Sequence, residues 1–274
     1  MQRTFFALPL LVILASTPVL AQDRHPAMEK AWSINIGSFF AERELKASAE
    51  GAIGTVEREF DFEEALGLDD SGNLLMAELG WQYTENWGVA LQYFRSERDA
   101  SRTLDESFEW QGDTYDIGAQ IDAGTKLEIT RIFFARRFRD NGPHSFRLGA
   151  GLHWLDISAE VSGQATLNDQ STEFRRNTAS ASVPVPNIGA WYRYSPNDRW
   201  LVNARIDWLS ASIDNYSGDI WNASAGINYR IWNNVGVGAS YQYFELGGDV
   251  TEDNWRGAIQ MTLTGPFLYV SGFW

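Results

Sequence analysis

Between residues 200 and 243 the chain repeats a two-residue rhythm three times. Trp200, Val202, Ala204, Ile206 and Trp208 alternate with Leu201, Asn203, Arg205 and Asp207. Further on, Trp221, Ala223, Ala225, Ile227, Tyr229 and Ile231 alternate with Asn222, Ser224, Gly226, Asn228 and Arg230. Val235, Val237, Ala239, Tyr241 and Tyr243 then alternate with Gly236, Gly238, Ser240 and Gln242. A period of two belongs to β-strands, whose successive side chains point to opposite faces. The pattern suits a soluble sheet with one wet face, and equally a barrel with lipid outside and polar groups inside. Aromatic spacing separates the two. Trp200 and Trp208 share a face eight residues apart, as do Trp221 and Tyr229. Eight steps of ~3.3 Å at a tilt of ~40° span roughly 20 Å, close to the apolar band of a transmembrane barrel, with rings where lipid meets water.

Composition agrees. The 274 residues are 44% hydrophobic and 14% aromatic, with 12 Trp and 24 Gly, and no segment after the amino terminus is apolar enough to cross a bilayer as a helix. The first residues read as a secretory signal: Arg3, an apolar centre over 5–15, and Val19-Leu20-Ala21 before Gln22. Pro9, Pro18 and the shortness of the apolar run argue against a membrane anchor. Cysteine is absent, so an exported chain must draw stability from another source, and barrel closure in lipid is one. The net charge of −14 excludes nucleic acid as a partner. The expected organisation is a signal peptide over 1–21, a polar lead over 22–30 and one barrel over 31–274.

The first expected strand covers 31–45 and a less regular second one 50–62, with an acidic loop over 63–73. Residues 74–83 and 87–95 form a hairpin across Thr84-Glu85-Asn86. The stretch 96–124 contains a turn at Gln111-Gly112-Asp113. Residues 126–138 carry apolar side chains on both faces, which leaves their lipid side unassigned. Asn141-Gly142-Pro143 is a turn, after which Phe146, Leu148, Ala150, Leu152 and Trp154 face outward. Residues 161–181, rich in Ser, Thr, Asn and Gln, read as the longest loop. Val183-Pro184-Val185-Pro186 reads as a strand end, because proline lacks the ladder donor. Beyond Tyr243, residues 247–253 form a loop, Trp255 to Leu263 a strand, Thr264-Gly265-Pro266 a turn, and 267–274 a last strand. The sum is a closed antiparallel transmembrane β-barrel of about twelve strands, within a range of ten to fourteen. In that count the short turns fall opposite the termini, contrary to the usual barrel arrangement.

The end of the chain, Phe267-Leu268-Tyr269-Val270-Ser271-Gly272-Phe273-Trp274, resembles the terminal signal of bacterial outer-membrane barrel proteins, with Trp where Phe is commonest. Gly54-Thr55, Leu66-Gly67-Leu68-Asp69, the GAGLHW strand ending at Trp154, and Gly265-Pro266 are similar to a group of uncharacterised proteobacterial barrels. The resemblance implies the outer membrane of a Gram-negative bacterium, surrounding lipid and lipopolysaccharide, and recognition by the barrel assembly machinery through Tyr269 and Trp274. It brings no catalytic residues.

No catalytic constellation stands out. His25 lies in the lead, His144 in a turn, and His153 points inward. With no Cys and no His cluster, a metal site has no ligand pattern, and no cofactor is expected. Asp156 and Ser158 follow His153, yet the inward ring does not match a lipid-facing Ser–His pair, so a lipid-modifying acyl hydrolase or transferase is the alternative and not the first choice. The acidic loop lacks the spacing of a calcium loop. Expected lumen residues are Arg147, His153, Arg193, Arg205, Asp207, Asn228, Arg230 and Gln242. Expected lipid-interface aromatics are Trp154, Trp200, Trp208, Trp221, Tyr229, Tyr241 and Trp255. Mixed charge inside means either a salt-bridged filling or a narrow, porin-like path for small solutes. A non-enzymatic barrel, structural or pore-forming, is expected first. A surface adhesin or receptor using 161–181 is a further alternative.

Overall fold

The computed structural model describes residues 24–51, 58–61, 71–104, 107–110, 113–167, 171–213, 216–251 and 255–274. The signal over 1–21, the acidic segment 62–70 and Gly54-Thr55 lie outside them.

Ten strands close the barrel. They are β1 (Trp32–Gly51), β2 (Ser71–Gln82), β3 (Trp87–Thr103), β4 (Gln120–Asn141), β5 (His144–Leu167), β6 (Ser171–Tyr194), β7 (Trp200–Ile213), β8 (Tyr216–Trp232), β9 (Val235–Thr251) and β10 (Trp255–Phe273). Each pairs antiparallel with its sequence neighbour, and β10 returns to β1 from Ser33↔Phe273 to Gly51↔Trp255. Closure joins the last strand to the first, the condition lipid imposes on any sheet that spans it. A short strand Arg58–Asp61 pairs with β1. A small hairpin, Phe108–Trp110 with Asp113–Tyr115, meets β5 through Thr114↔Thr166.

Ten strands replace the expected twelve, for two local reasons. Residues 50–62 do not make a wall strand: β1 runs to Gly51, and the strand at Arg58–Asp61 folds back on β1 outside the barrel path. Thr264-Gly265-Pro266 is no turn either. Pro266 and Gly265 face Tyr241 and Gln242 inside one continuous β10, while the β1 ladder skips from Phe39↔Phe267 to Glu42↔Thr264. Proline donates nothing to that missing rung, and a Cβ on Gly265 would sit 2.0 Å from the Phe40 carbonyl oxygen. With these corrections the short turns lie at the same end as Trp32 and Trp274, whose backbones bond to each other at 2.8 and 3.1 Å. The usual barrel arrangement is restored. One of these turns carries Gly142 at φ 57°, a left-handed conformation suited to glycine.

Residues 161–167 and 171–181 of the polar stretch are strand, not loop: they form the upper halves of β5 and β6, paired from Val161↔Asn177 to Leu167↔Ser171. Likewise β9 runs through 247–251. The two prolines sit within β6, opposite Leu152 and Trp154, instead of at its end. Their place has a physical reason. The β6–β7 ladder stops at Trp208↔Ile188, so along Pro184 and Pro186 the strand pairs with β5 alone and a missing donor goes unnoticed. A matching gap opens where the β2–β3 ladder ends at Met76↔Phe94 while β3 continues beside β4 to Thr103↔Gln120. Above these two points the wall is two separate sheets.

Candidate functional site: the barrel interior

Alternation places one face of every strand inside, and the interior is stratified along the barrel axis. At the short-turn end the first described residues form a stopper, the single-turn helix α1 (Pro26–Glu29). His25 caps it, its Nδ1 accepting from the Ala27 N–H at 3.2 Å, while its own N–H donates to Ser195 Oγ at 2.8 Å. Arg193 Nη1 donates to the Ala27 carbonyl at 3.0 Å, Arg24 pairs with Asp140, and Met28 is buried. The His25 ring meets Phe273 edge-on at 5.0 Å and is fully buried. Burial, reinforced by the Arg193 and Arg230 charges and opposed by Asn228 and Asp198, lowers its pKa to about 4.

That depression links docking to pH. The released histidine takes up a proton near 6.5, whereas the docked ring does so only near 4, so docking is fully supported above pH 6.5 and weakens as pH falls between those values. The difference approaches about 3 kcal/mol at the acid end. A fluorophore on Met28→Cys should therefore become solvent-accessible on acidification, and His25→Gln should flatten the response. An equally strong response in His25→Gln would sink the assignment.

Above the stopper lies a polar layer centred on Arg131 and Asp207. Both are fully buried and pair at 2.6 Å. The Arg131 guanidinium also lies over Phe133 at 4.5 Å and Trp191 at 5.4 Å, which gives the desolvated cation two ring faces. Arg205 approaches Glu78 at 3.6 Å and Asp207 at 3.8 Å, and donates to Gln92 at 3.3 Å and Asn222 at 3.4 Å. Glu78 accepts from Asn35 at 2.9 Å and Gln92 at 3.0 Å. His153 lies in the same layer, its Nε2 3.0 Å from Asn222 Nδ2 and its ring 5.7 Å from Phe244. Asn228 donates to Ser271 at 2.8 Å, Gln242 to Ser240 at 2.8 Å, and Arg230 pairs with Asp198. Arg147 is buried beside Gly88.

The structure therefore puts Arg205, Asp207 and His153 in one network and holds Arg193 and Arg230 nearer the short-turn end. Arg131, Glu78, Gln92 and Asn222 belong to the network without having been singled out in the sequence. Arg131 was hidden because β4 is apolar on both faces. Its inward row, Ile129, Arg131, Phe133 and Ala135, differs little in composition from the outward Ile132 and Phe134. Asp207 held the usable signal, since a buried carboxylate demands a buried cation.

Over the polar layer the lumen turns mainly apolar, which alternation alone did not suggest, with Arg43 of β1 donating to Thr125 Oγ1 of β4 at 2.7 Å across it. Phe39, Met76, Phe94, Ile129, Leu155, Phe244, Leu263 and Phe267 form one buried cluster across the interior. Phe39 meets Phe94 edge-on at 5.9 Å, and Phe267 stacks on Tyr269 at 4.9 Å. Higher still, Tyr115 from the small hairpin is buried with Leu104, Ile121, Ala123 and Val161.

A model of the outer membrane protein beta-barrel domain matches residues 107–262, more than half of the chain. The protein belongs to that family. Its place is the bacterial outer membrane. No curated protein matches the sequence. Among solved structures, the outer membrane protease OmpT of Escherichia coli is similar at 8% identity and a TM-score of 0.52, covering 88% of this chain and 97% of that one. The attachment invasion locus protein Ail of Yersinia pestis shares 15% identity at a TM-score of 0.26, covering 88% and 99%. The toluene transporter TodX of Pseudomonas putida shares 10% at 0.34, covering 92% and 95%. The likeness to OmpT is one of fold alone, and the looser two carry no argument.

In this outer-membrane barrel the outward face follows from the same alternation. Trp200, Trp208, Trp221, Tyr241 and Trp154 are exposed on the outside of the wall. Trp208 and Trp221 face each other across β7 and β8, and Tyr229 packs on Trp200 at 4.8 Å. A second row follows the short-turn rim, where Trp81, Trp32 and Trp274 stack at 5.0 and 6.4 Å. The Trp255 side chain is outside the described set. Of the two terminal-strand aromatics, Trp274 points outward while Tyr269 turns inward against Gly238, where a Cβ would meet the ring at 2.3 Å.

Proposed function

We propose that this outer-membrane barrel is non-enzymatic and closed to solutes, acting as a rigid wall element. The observation that carries this reading is the apolar cluster from Phe39 to Phe267 lying across the lumen between the polar layer and the outer rim. A conducting path would need water through that level, and buried side chains fill it instead, Arg43 bonded to Thr125 among them. The α1 stopper supports closure at the other end. Surrounding lipid and lipopolysaccharide, and the assembly machinery acting on Tyr269 and Trp274, complete the proposal as partners.

The enzymatic alternative is less well supported. Among the described residues, His153 has an amide and a phenyl ring as neighbours and no hydroxyl bonded to it, so a nucleophile activated by that base has no starting geometry. Planar-bilayer recordings of the purified full chain should show no unitary conductance, and incubation with phospholipid and lipopolysaccharide should release no acyl chains. Reproducible current steps would overturn the closed reading, and acyl release would overturn the non-enzymatic one.

A further inference from the structure

From the stopper to the polar layer, the interior carries more positive charge than the described carboxylates match. Asp140 serves Arg24 and Arg137, Asp198 holds Arg230, and Asp207 with Glu78 serves Arg131 and Arg205. Arg147 and Arg193 remain, with no carboxylate at ion-pair distance among the described residues. Arg193 has the neutral Ala27 carbonyl and the edge of the Trp191 field, 6.0 Å from that ring's centroid. Arg147 is buried with its Nε unpartnered. Glu78 and Asp140 reach these two only at longer range.

One of these two unmatched cations, Arg193, opens on space. Arg131, Arg193 and Arg205 line one cavity of about 80 Å³ in the polar layer, and Glu78 is the only carboxylate among the described residues lining it. Asn203 and Tyr269 add neutral polar groups to the same wall. Arg131 has no surface open to water, so the charge that meets the cavity comes from Arg193 and Arg205, both only part-buried. A cavity of this size has room for several waters or one small oxyanion. Water leaves the charge excess in place, and buried cations without counter-charge are costly. An oxyanion removes it, because a guanidinium fork matches two oxygens of a carboxylate or phosphate.

We propose that this cavity is a binding site for one small oxyanion of carboxylate or phosphate size, held by Arg193 and Arg205. The stopper covers it on one side and the apolar cluster on the other, so the anion enters from the short-turn end or is enclosed during folding. This holds whether or not the barrel conducts, and binding is measured separately from current.

The test uses the full chain folded in detergent micelles with inorganic phosphate or acetate, ionic strength being held by a bulky sulfonate too large for the cavity. Tm should rise saturably by several degrees with at least one of the two. Arg193→Gln should melt higher than the native chain in anion-free buffer and lose the response. Equilibrium dialysis of labelled phosphate and acetate against the native chain needs no variant, and about one anion per chain is expected. Binding of neither anion above that of the denatured chain, or an undiminished Tm response in Arg193→Gln, would overturn the site.

Discussion

Asp207→Asn should destabilise the barrel by roughly 3–5 kcal/mol, the range for removing one partner of a buried ion pair. The size of the effect comes from what remains, not from the pair itself. Arg131 has no exposed surface and no second carboxylate at bonding distance, and its two ring faces temper the stranded charge without neutralising it. Arg205 loses its more distant contact with the same carboxylate at 3.8 Å and keeps Glu78. Replacing both partners, Arg131→Met with Asp207→Leu, should recover most of the loss, since a well-packed apolar pair carries no desolvation penalty. Urea unfolding in lipid vesicles, followed by tryptophan fluorescence, measures both. A cost below about 1 kcal/mol for the single replacement would show that Arg131 is solvated or paired elsewhere.

Phe267→Ala should lose a similar amount, roughly 3–5 kcal/mol, by opening a cavity in the apolar cluster. Its neighbour provides the control. Leu268 is half-exposed on the lipid side of the same strand, and Leu268→Ala should lose only the transfer contribution of a few methylenes, about 2 kcal/mol, because lipid closes over the vacancy. Benzene separates the two cases. A dry internal cavity takes up a small apolar guest, so saturating benzene should restore part of the stability of Phe267→Ala and none of Leu268→Ala. Equal rescue of both would mean that Phe267 also faces a fluid surface and that the lumen is not filled at its level.

The barrel was legible because its constraint is binary. Each residue of Trp200–Trp208, Trp221–Ile231 and Val235–Tyr243 faces either lipid or lumen, and a period of two with rings eight apart leaves little freedom. What escaped the sequence were the places where other physics interrupts that code. Gly265-Pro266 has the composition of a turn, yet a continuous β9 ladder carries it inside β10, with only the rung to β1 missing. The Ser- and Thr-rich segment over 161–181 looks like a loop because above the membrane neither face of a strand must be apolar. In the interior, Arg205, Asp207 and His153 were recognisable as inward polar groups, whereas Arg131 and the Phe39–Phe267 cluster were not. Those apolar residues lie inward where the code expects polarity, and only packing across the lumen reveals why.

The early end of the β2–β3 and β6–β7 ladders has a mechanical meaning. Below Met76 and Ile188 the wall is a continuous collar, stiffened all the way round by shared backbone bonds. Above them, among the described residues, stand two upright jaws that share no backbone rung and are tied across the lumen by side chains such as Arg43 on Thr125. Strain at the outer mouth would thereby fall on replaceable side-chain contacts before it reached the backbone bonds of the collar.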